Sequence, residues 1–265
     1  MSKIIKNNIS YGMKKLIVGN WKMAPDTLKQ AEATFLAIKK KASNLRNVQT
    51  VICPPIVYVE TLAWHVSGHR CVVGAQNVFY EKGGAFTGEI SVKQLASVKA
   101  SYAIIGHSER RAMGETDEEI SKKVIVALKE KMKVILCVGE SKRDDHGEYT
   151  RFIAEQIKSA LAQVKKPQLV NLVIAYEPIW AIGKDADHPA TPADALEVSI
   201  LIRKVIADMF SKKDAFSIPV LYGGSADDKN AKGFLSEGEA DGLLVGRASL
   251  NPKKFNAILE TANNI

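Results

Sequence analysis

Only three cysteines occur, Cys53, Cys71 and Cys137, and no two of them form a CxxC pair. An odd, scattered set argues against a disulfide framework or a zinc site and fits a reducing, cytoplasmic compartment. No apolar run approaches the ~20 residues that a bilayer-crossing helix needs, so no membrane partner is expected. Neither GxxxxGK[ST] nor GxGxxG is present, which removes the common nucleotide-loop signatures. The first 25 residues contain no Asp or Glu. They carry Lys3, Lys6, Lys14, Lys15 and Lys22 but lack arginine and the longer apolar h-region of a leader, which makes them a poor targeting peptide. No linker or low-complexity stretch divides the chain, so one domain is expected.

What is present suits a full hydrophobic core. The chain has 265 residues, of which 46% are hydrophobic and 25% charged. Its net charge of +8 is spread along the sequence. That pattern reads as a solvated surface that could attract an anionic metabolite, and no nucleic-acid partner is expected. Eight short apolar runs recur: KLIVGN (15–20), VQTVIC (48–53), RCVVGAQ (70–76), SYAIIG (101–106), KVILCV (133–138), LVIAY (172–176), IPVLYG (218–223) and GLLVG (242–246). Without alternation, such runs suit parallel strands covered on both faces. Helical stripes lie between them, with Leu28, Ala31, Phe35 and Ile38 in one and Ile120, Val124, Ala127 and Leu128 in another. Ser91 with Gln94 and Thr116 with Glu119 have capping-box spacing; Thr191-Pro192 and Asn251-Pro252 set a cap before a first-turn proline. The order predicts an α/β fold, a closed (β/α)8 barrel of residues 13–265 behind an N-terminal extension of residues 1–12; an open doubly wound sheet is the alternative.

In such barrels the loops after the strands' C-terminal ends carry the chemistry. Strand one ends at Asn20-Trp21-Lys22, strand four at Gly106-His107-Ser108-Glu109 and strand six at Glu177. Taken singly, each has an ordinary reading: a solvated lysine, a structural histidine, a surface carboxylate. Together they put an ammonium, an imidazole and a carboxylate on one mouth. One histidine with scattered carboxylates is a poor metal site, so no metal is expected. Ser108, next to His107, makes a better helix cap than a nucleophile. Glycine-rich backbone follows the last two strands, YGGSA (222–226) and LVGRASL (244–250), where barrels often hold phosphate; tight turns without a ligand are the plain alternative.

GNWKM, GAQN, GAFTGEIS, IIGHSERR, CVGE, YEPIWAIG, LYGGS and DGLLVGRASL occur in this order over nearly the whole chain from Met13. In these motifs the sequence resembles the triosephosphate isomerase family. The resemblance implies interconversion of dihydroxyacetone phosphate and glyceraldehyde 3-phosphate, a step of glycolysis and gluconeogenesis, with no cofactor. By the same resemblance Glu177 is the general base, and His107 is a neutral electrophile, a pairing the family exemplifies. It further makes Asn20 a hydrogen-bond donor, Lys22 the stabiliser of enediolate charge and Glu109 a carboxylate that positions Lys22. Pro178 to Gly183 would open a lid over the substrate, and Gly183, Ser225, Gly246 and Arg247 would offer backbone N–H groups to its phosphate. GGAFTGE (83–89) resembles a loop that reaches a second subunit with Thr87 near its tip, implying a homodimer. Two departures stand out. KDADHP follows Gly183, leaving the lid about two residues longer than is usual for the family. Arg247 stands where a second glycine is common, its side chain expected in solvent.

Two other readings compete. A barrel glycosidase would need a second acid ~5–9.5 Å from Glu177, and it gives the phosphate-type loops no purpose. A non-catalytic barrel binding a polyanion would need clustered basic residues beside exposed aromatics, and neither is evident.

Overall fold

A computed structural model describes residues 14–144, 146–183 and 188–265; the 1–12 extension and Met13 lie outside the described residues. Eight parallel strands close into one barrel in chain order: β1 (Lys15–Asn20), β2 (Val48–Cys53), β3 (Cys71–Ala75), β4 (Tyr102–Ile105), β5 (Lys133–Val138), β6 (Leu172–Tyr176), β7 (Val220–Tyr222) and β8 (Gly242–Val245). Closure comes from β1 pairing with β8, Ile17 opposite Leu243 and Val18 opposite Leu244. The open-sheet alternative is thereby excluded. Four strands keep the bounds read from their apolar runs, and the other four are trimmed at their ends. Residues such as Gly106 and Gly223 already belong to the turns that leave the barrel.

Ten helices lie outside it among the described residues: α1 (Leu28–Ala42), α2 (Ile56–Trp64), α3 (Val92–Ser97), α4 (Ser108–Ala112), α5 (Asp117–Lys129), α6 (Glu148–Leu161), α7 (Pro192–Met209), α8 (Lys212–Ser217), α9 (Ala231–Ser236) and α10 (Pro252–Asn263). None is long and apolar enough to cross a membrane. Four caps read from sequence form, whereas Ser108, expected as a cap, is the first residue of α4 and His107 caps it. Ser91 with Gln94, and Thr116 with Glu119, close reciprocal boxes, while the Thr191 box closes with Asp194. The Asn251 side chain accepts from the N–H groups of Lys253 and Lys254. Each such cap stabilises its helix by about 1 kcal/mol. One stripe shifts: Leu28, in the first turn of α1, is exposed, and Ala42 joins Ala31, Phe35 and Ile38 in burial.

Two cores follow from the strand period of two. Leu16, Val18, Val51, Ile104, Ile135, Val173, Ala175 and Leu244 fill the barrel interior. Ile17, Ile52, Ile105, Val134 and Ile174 face the helices with Phe35, Leu62 and Phe255. Each fully buried aliphatic side chain contributes roughly 1.5–3 kcal/mol. The inward parity has a consequence at the mouth. Carried one step past the interior layer, it reaches Asn20 from β1, Gln76 from β3 and Glu177 from β6. The packed interior thus aims polar residues into the opening.

Candidate active site

β1 delivers Asn20, which is buried, and Lys22 two residues on. Lys22 adopts φ +53, a left-handed conformation that is costly for a residue with a side chain. Two contacts hold it there. The Lys22 N–H donates to Asn20 Oδ1 at 3.0 Å, and Gln76 Nε2 donates to the Lys22 carbonyl at 2.8 Å and to Cys53 O at 2.9 Å. Asn20 Oδ1 is thereby occupied, so its amide NH2 is the group left to donate outward. Lys22 Nζ meets Glu109 Oε1 at 2.5 Å.

β4 ends in Gly106 at φ +74. A Cβ at that angle would be strained and would also meet Cys137 O at 3.2 Å. The turn sets His107 as the cap of α4, and its Nδ1 accepts from the Glu109 N–H at 3.2 Å. A proton cannot occupy the nitrogen that accepts this bond. The ring proton therefore sits on Nε2, which lies 3.0 Å from Glu177 Oε1. The other carboxylate oxygen, Oε2, accepts from the Ser108 N–H at 2.8 Å.

Glu177 is 2% exposed. Burial pushes its carboxyl above the ordinary range; His107, the Ser108 N–H and Lys22 pull it down without cancelling that effect. The room around it is specific to glycine. A Cβ on Gly139 would fall 1.8 Å from the Glu177 carbonyl oxygen, so no side chain fits at the β5 exit without moving the base. Burial also raises the Cys137 thiol well above its usual value, as does the neighbouring Glu177. Cys137 is therefore an inert wall and not a nucleophile.

The mouth opens beside these groups as a cavity of about 330 Å³ whose walls include Asn20, Lys22, Gln76, His107 and Glu109. Glu177 does not line it, both its oxygens being bound to His107 and Ser108. The phosphate candidates occupy the exits of β6, β7 and β8. Gly183 is exposed at φ +99. Ser225 Oγ donates to Ala181 O at 3.2 Å, joining the loop after β7 to the segment after β6. A Cβ on Gly246 would lie 3.6 Å from Lys22 Cε, which puts the loop after β8 beside the ammonium. The Arg247 side chain is exposed, as expected from sequence. Of the longer lid stretch, residues 184–187 lie outside the described residues.

Sequence reasoning gave no role to Gln76, Glu140, Tyr176 or the Ser108 N–H. Glu140, at the β5 exit, is 2% exposed. Its Oε1 accepts from Tyr176 Oη at 2.8 Å and from Trp180 Nε1 at 2.7 Å. The signal was an acid closing an apolar strand, as at Glu177. Among the described residues no group of three or more His, Cys, Asp or Glu could hold a metal ion.

A closed parallel barrel with a buried carboxylate, an imidazole and an ammonium at its C-terminal mouth defines a (β/α)8-barrel enzyme of the acid–base kind. Comparison with known proteins narrows the class. The family model for triosephosphate isomerase matches residues 15–262. The triosephosphate isomerase of Natranaerobius thermophilus is 44% identical over 252 residues, covering 94% of this chain and 96% of that protein. The chain belongs to the triosephosphate isomerase family.

Proposed function

We propose that this chain interconverts dihydroxyacetone phosphate and D-glyceraldehyde 3-phosphate, with Glu177, His107, Lys22, Asn20 and Glu109 in the chemistry. The observation that carries the reading is the contact between a carboxylate of raised basicity and a histidine whose Nε2 holds its proton, at one mouth with Lys22. Removing a proton beside a carbonyl needs a base at the carbon and a donor at the oxygen. Glu177 takes the proton once substrate replaces its contacts with His107 and Ser108. His107 Nε2–H then donates to the carbonyl oxygen, its tautomer fixed by the Glu109 N–H. Lys22 stabilises the enediolate charge, Asn20 donates its amide hydrogen, and Glu109 holds the ammonium in place. Backbone N–H groups of Gly183, Ser225, Gly246 and Arg247 receive the phosphate. The segment opening at Pro178 closes over it, excludes water and hinders loss of phosphate from the intermediate.

The reading extends to a homodimer in which the Thr87 loop of one copy enters the cavity of the other. Its support is a loop exposed from Glu81 to Glu89 and closed at its base by Phe79 N–H to Ile90 O, 2.8 Å. Met23, Phe86 and Met113 add exposed apolar surface. Sedimentation showing a fully active monomer at assay concentration would contradict it. A cytoplasmic location is part of the same reading, supported by three free, buried cysteines. No observation favours the polyanion-binding alternative.

A coupled assay of glyceraldehyde 3-phosphate isomerisation tests the whole. Activity is expected in the native chain, with a loss of at least ~10²–10⁴-fold in Glu177→Gln. An amide variant that turns over normally would overturn the assignment.

A further inference from the structure

His107 is held through its ring and also through the peptide groups on either side of it. The carbonyl before it, Gly106 O, receives Arg111 Nε at 2.9 Å. Its own carbonyl receives the Arg111 backbone N–H at 3.1 Å, and the N–H of that same peptide, from Ser108, is the one bound to Glu177. The backbone bond survives any change of side chain at Arg111; the bond to Gly106 does not. Gly106 stands at φ +74, and glycine has little preference of its own for that angle, so the turn needs a tie from outside. The guanidinium fills the space beside it: a Cβ on Gly106 would meet Arg111 Nη2 at 3.3 Å.

The same guanidinium reaches the next strand. Nη2 donates to Cys137 O at 3.5 Å, and the following carbonyl, Val138 O, receives the Glu177 N–H at 2.8 Å. The turn that carries the imidazole and the strand end that carries the carboxylate are therefore both referred to the end of β5. The remaining arm, Nη1, donates to Asp117 Oδ1 at 2.6 Å at the start of α5. Arg111 is largely covered, and it is not part of the cavity wall.

We propose that Arg111 is a positioning residue for the isomerase reaction: its guanidinium pins the Gly106–His107 peptide to the end of β5 and so sets where His107 Nε2 stands relative to Glu177. The inference rests on the functional reading above. The physical reason is the fork. Arg111 spends separate N–H groups on Gly106 O, Cys137 O and Asp117, in a rigid plane that a lysine ammonium on a flexible stem cannot reproduce. Without those bonds the Gly106 peptide is free to rotate, and the ring swings with it. Its Nδ1 then leaves the Glu109 N–H that fixes the tautomer, and Nε2–H no longer faces the substrate oxygen. Arg111 reaches no group assigned to the phosphate, so its loss acts on the chemical step and leaves substrate binding in place.

The test measures kcat and KM for glyceraldehyde 3-phosphate, the melting temperature and the imidazole 15N spectrum of the native chain, Arg111→Lys, Arg111→Met and Asp117→Asn. The chain has five histidines, and the spectrum of His107→Gln identifies the signals of His107. Arg111→Met should lower kcat on the order of a hundredfold, the cost of a catalytic group displaced by about 1 Å, with KM within about twofold of native. The two His107 nitrogens, one protonated and one bare in the native chain, should give signals that move toward each other as the ring samples both tautomers. Arg111→Lys keeps a donor for one carbonyl; it should restore part of kcat, and it keeps the test open if Arg111→Met fails to fold. Asp117→Asn removes the charge at the far arm but not the bond to Gly106, so it should lower the melting temperature and leave kcat and the His107 signals native. Arg111 variants that melt lower yet keep native kcat and native His107 signals would make Arg111 a structural residue only and overturn the inference. Equal losses of kcat in Arg111→Met and Asp117→Asn would overturn it too. A native chain without isomerase activity would overturn the functional reading, and this inference with it.

Discussion

The exits of β5 and β6 set two glutamates side by side, equally buried at 2% exposure, in unlike surroundings. Glu140 has one oxygen crowded by donors, Tyr176 Oη, Trp180 Nε1 and Arg143 Nε, within a network that reaches α6 and α7. Glu177 has a single backbone N–H and an imidazole, and burial raises its basicity. The difference teaches that depth does not make a base. A carboxylate with one oxygen fixed by several donors is a structural anion, whereas one held by few and exchangeable partners can give them up to substrate.

The sharpest way to break this comparison is to neutralise each acid in turn. Glu177→Gln should cut kcat/KM by at least ~10²–10⁴-fold. Glu140→Gln keeps an acceptor for Trp180 and Tyr176 but loses the charge facing Arg143. It should cost about 1–3 kcal/mol of stability in urea melts and far less in turnover. Equal losses of activity in the two variants would erase the distinction.

Glu177 also carries a pH signature. The carboxyl must be ionised to act, so kcat/KM for the free enzyme should be highest on the alkaline side of its titration. It should fall as pH drops through a value above the ordinary carboxylate range. Stability runs the other way. With the folded pKa raised above the unfolded one, the contribution of the protonated group is fully present below the unfolded pKa and is lost as pH rises through the folded pKa. Ionised Glu177 therefore costs stability at the pH where the enzyme works. A pH–rate profile whose acid limb sits at an ordinary carboxylate value would remove the role of burial.

The Cβ missing at Gly139 sharpens the comparison further, because this residue lies between the two acids. Gly139→Ala should force the Glu177 backbone aside, costing about 1–3 kcal/mol of stability. Its kcat/KM should fall on the order of a hundredfold, the penalty of a base misplaced by about 1 Å. Native turnover in that variant would mean that the β6 exit tolerates displacement.

Much of this was legible beforehand. Continuous apolar runs such as LVIAY (172–176) announced parallel strands, and the strand-end rule picked out Glu177, His107 and Lys22. Glu140 ends KVILCVGE by the same logic, but its partners Tyr176, Trp180 and Arg143 come from other segments, and only the closed barrel brings them together. Gln76 was hidden for a similar reason. Its task is to hold the left-handed backbone of Lys22, and neither that conformation nor its distant partner leaves a mark in the local sequence. Periodicity reports which face is buried; it does not report which polar groups converge.

The smallest expected effect isolates the Glu140 side without touching either acid. Thr191 caps α7 and receives the Asp194 carboxylate that also binds Arg143. Thr191→Ala removes the side-chain acceptor for the Asp194 N–H and one donor to its carboxylate, which should cost about 1 kcal/mol in thermal or urea unfolding. Because Glu177, His107 and Ser108 share no hydrogen bond with this box, the acid limb of the pH–rate profile should stay where it is. Any loss of turnover should appear in KM and kcat together, as expected when a hinge loosens and the base is intact. A shifted acid limb in Thr191→Ala would show that the two exits are electrostatically joined, and the separation drawn between Glu140 and Glu177 would fail.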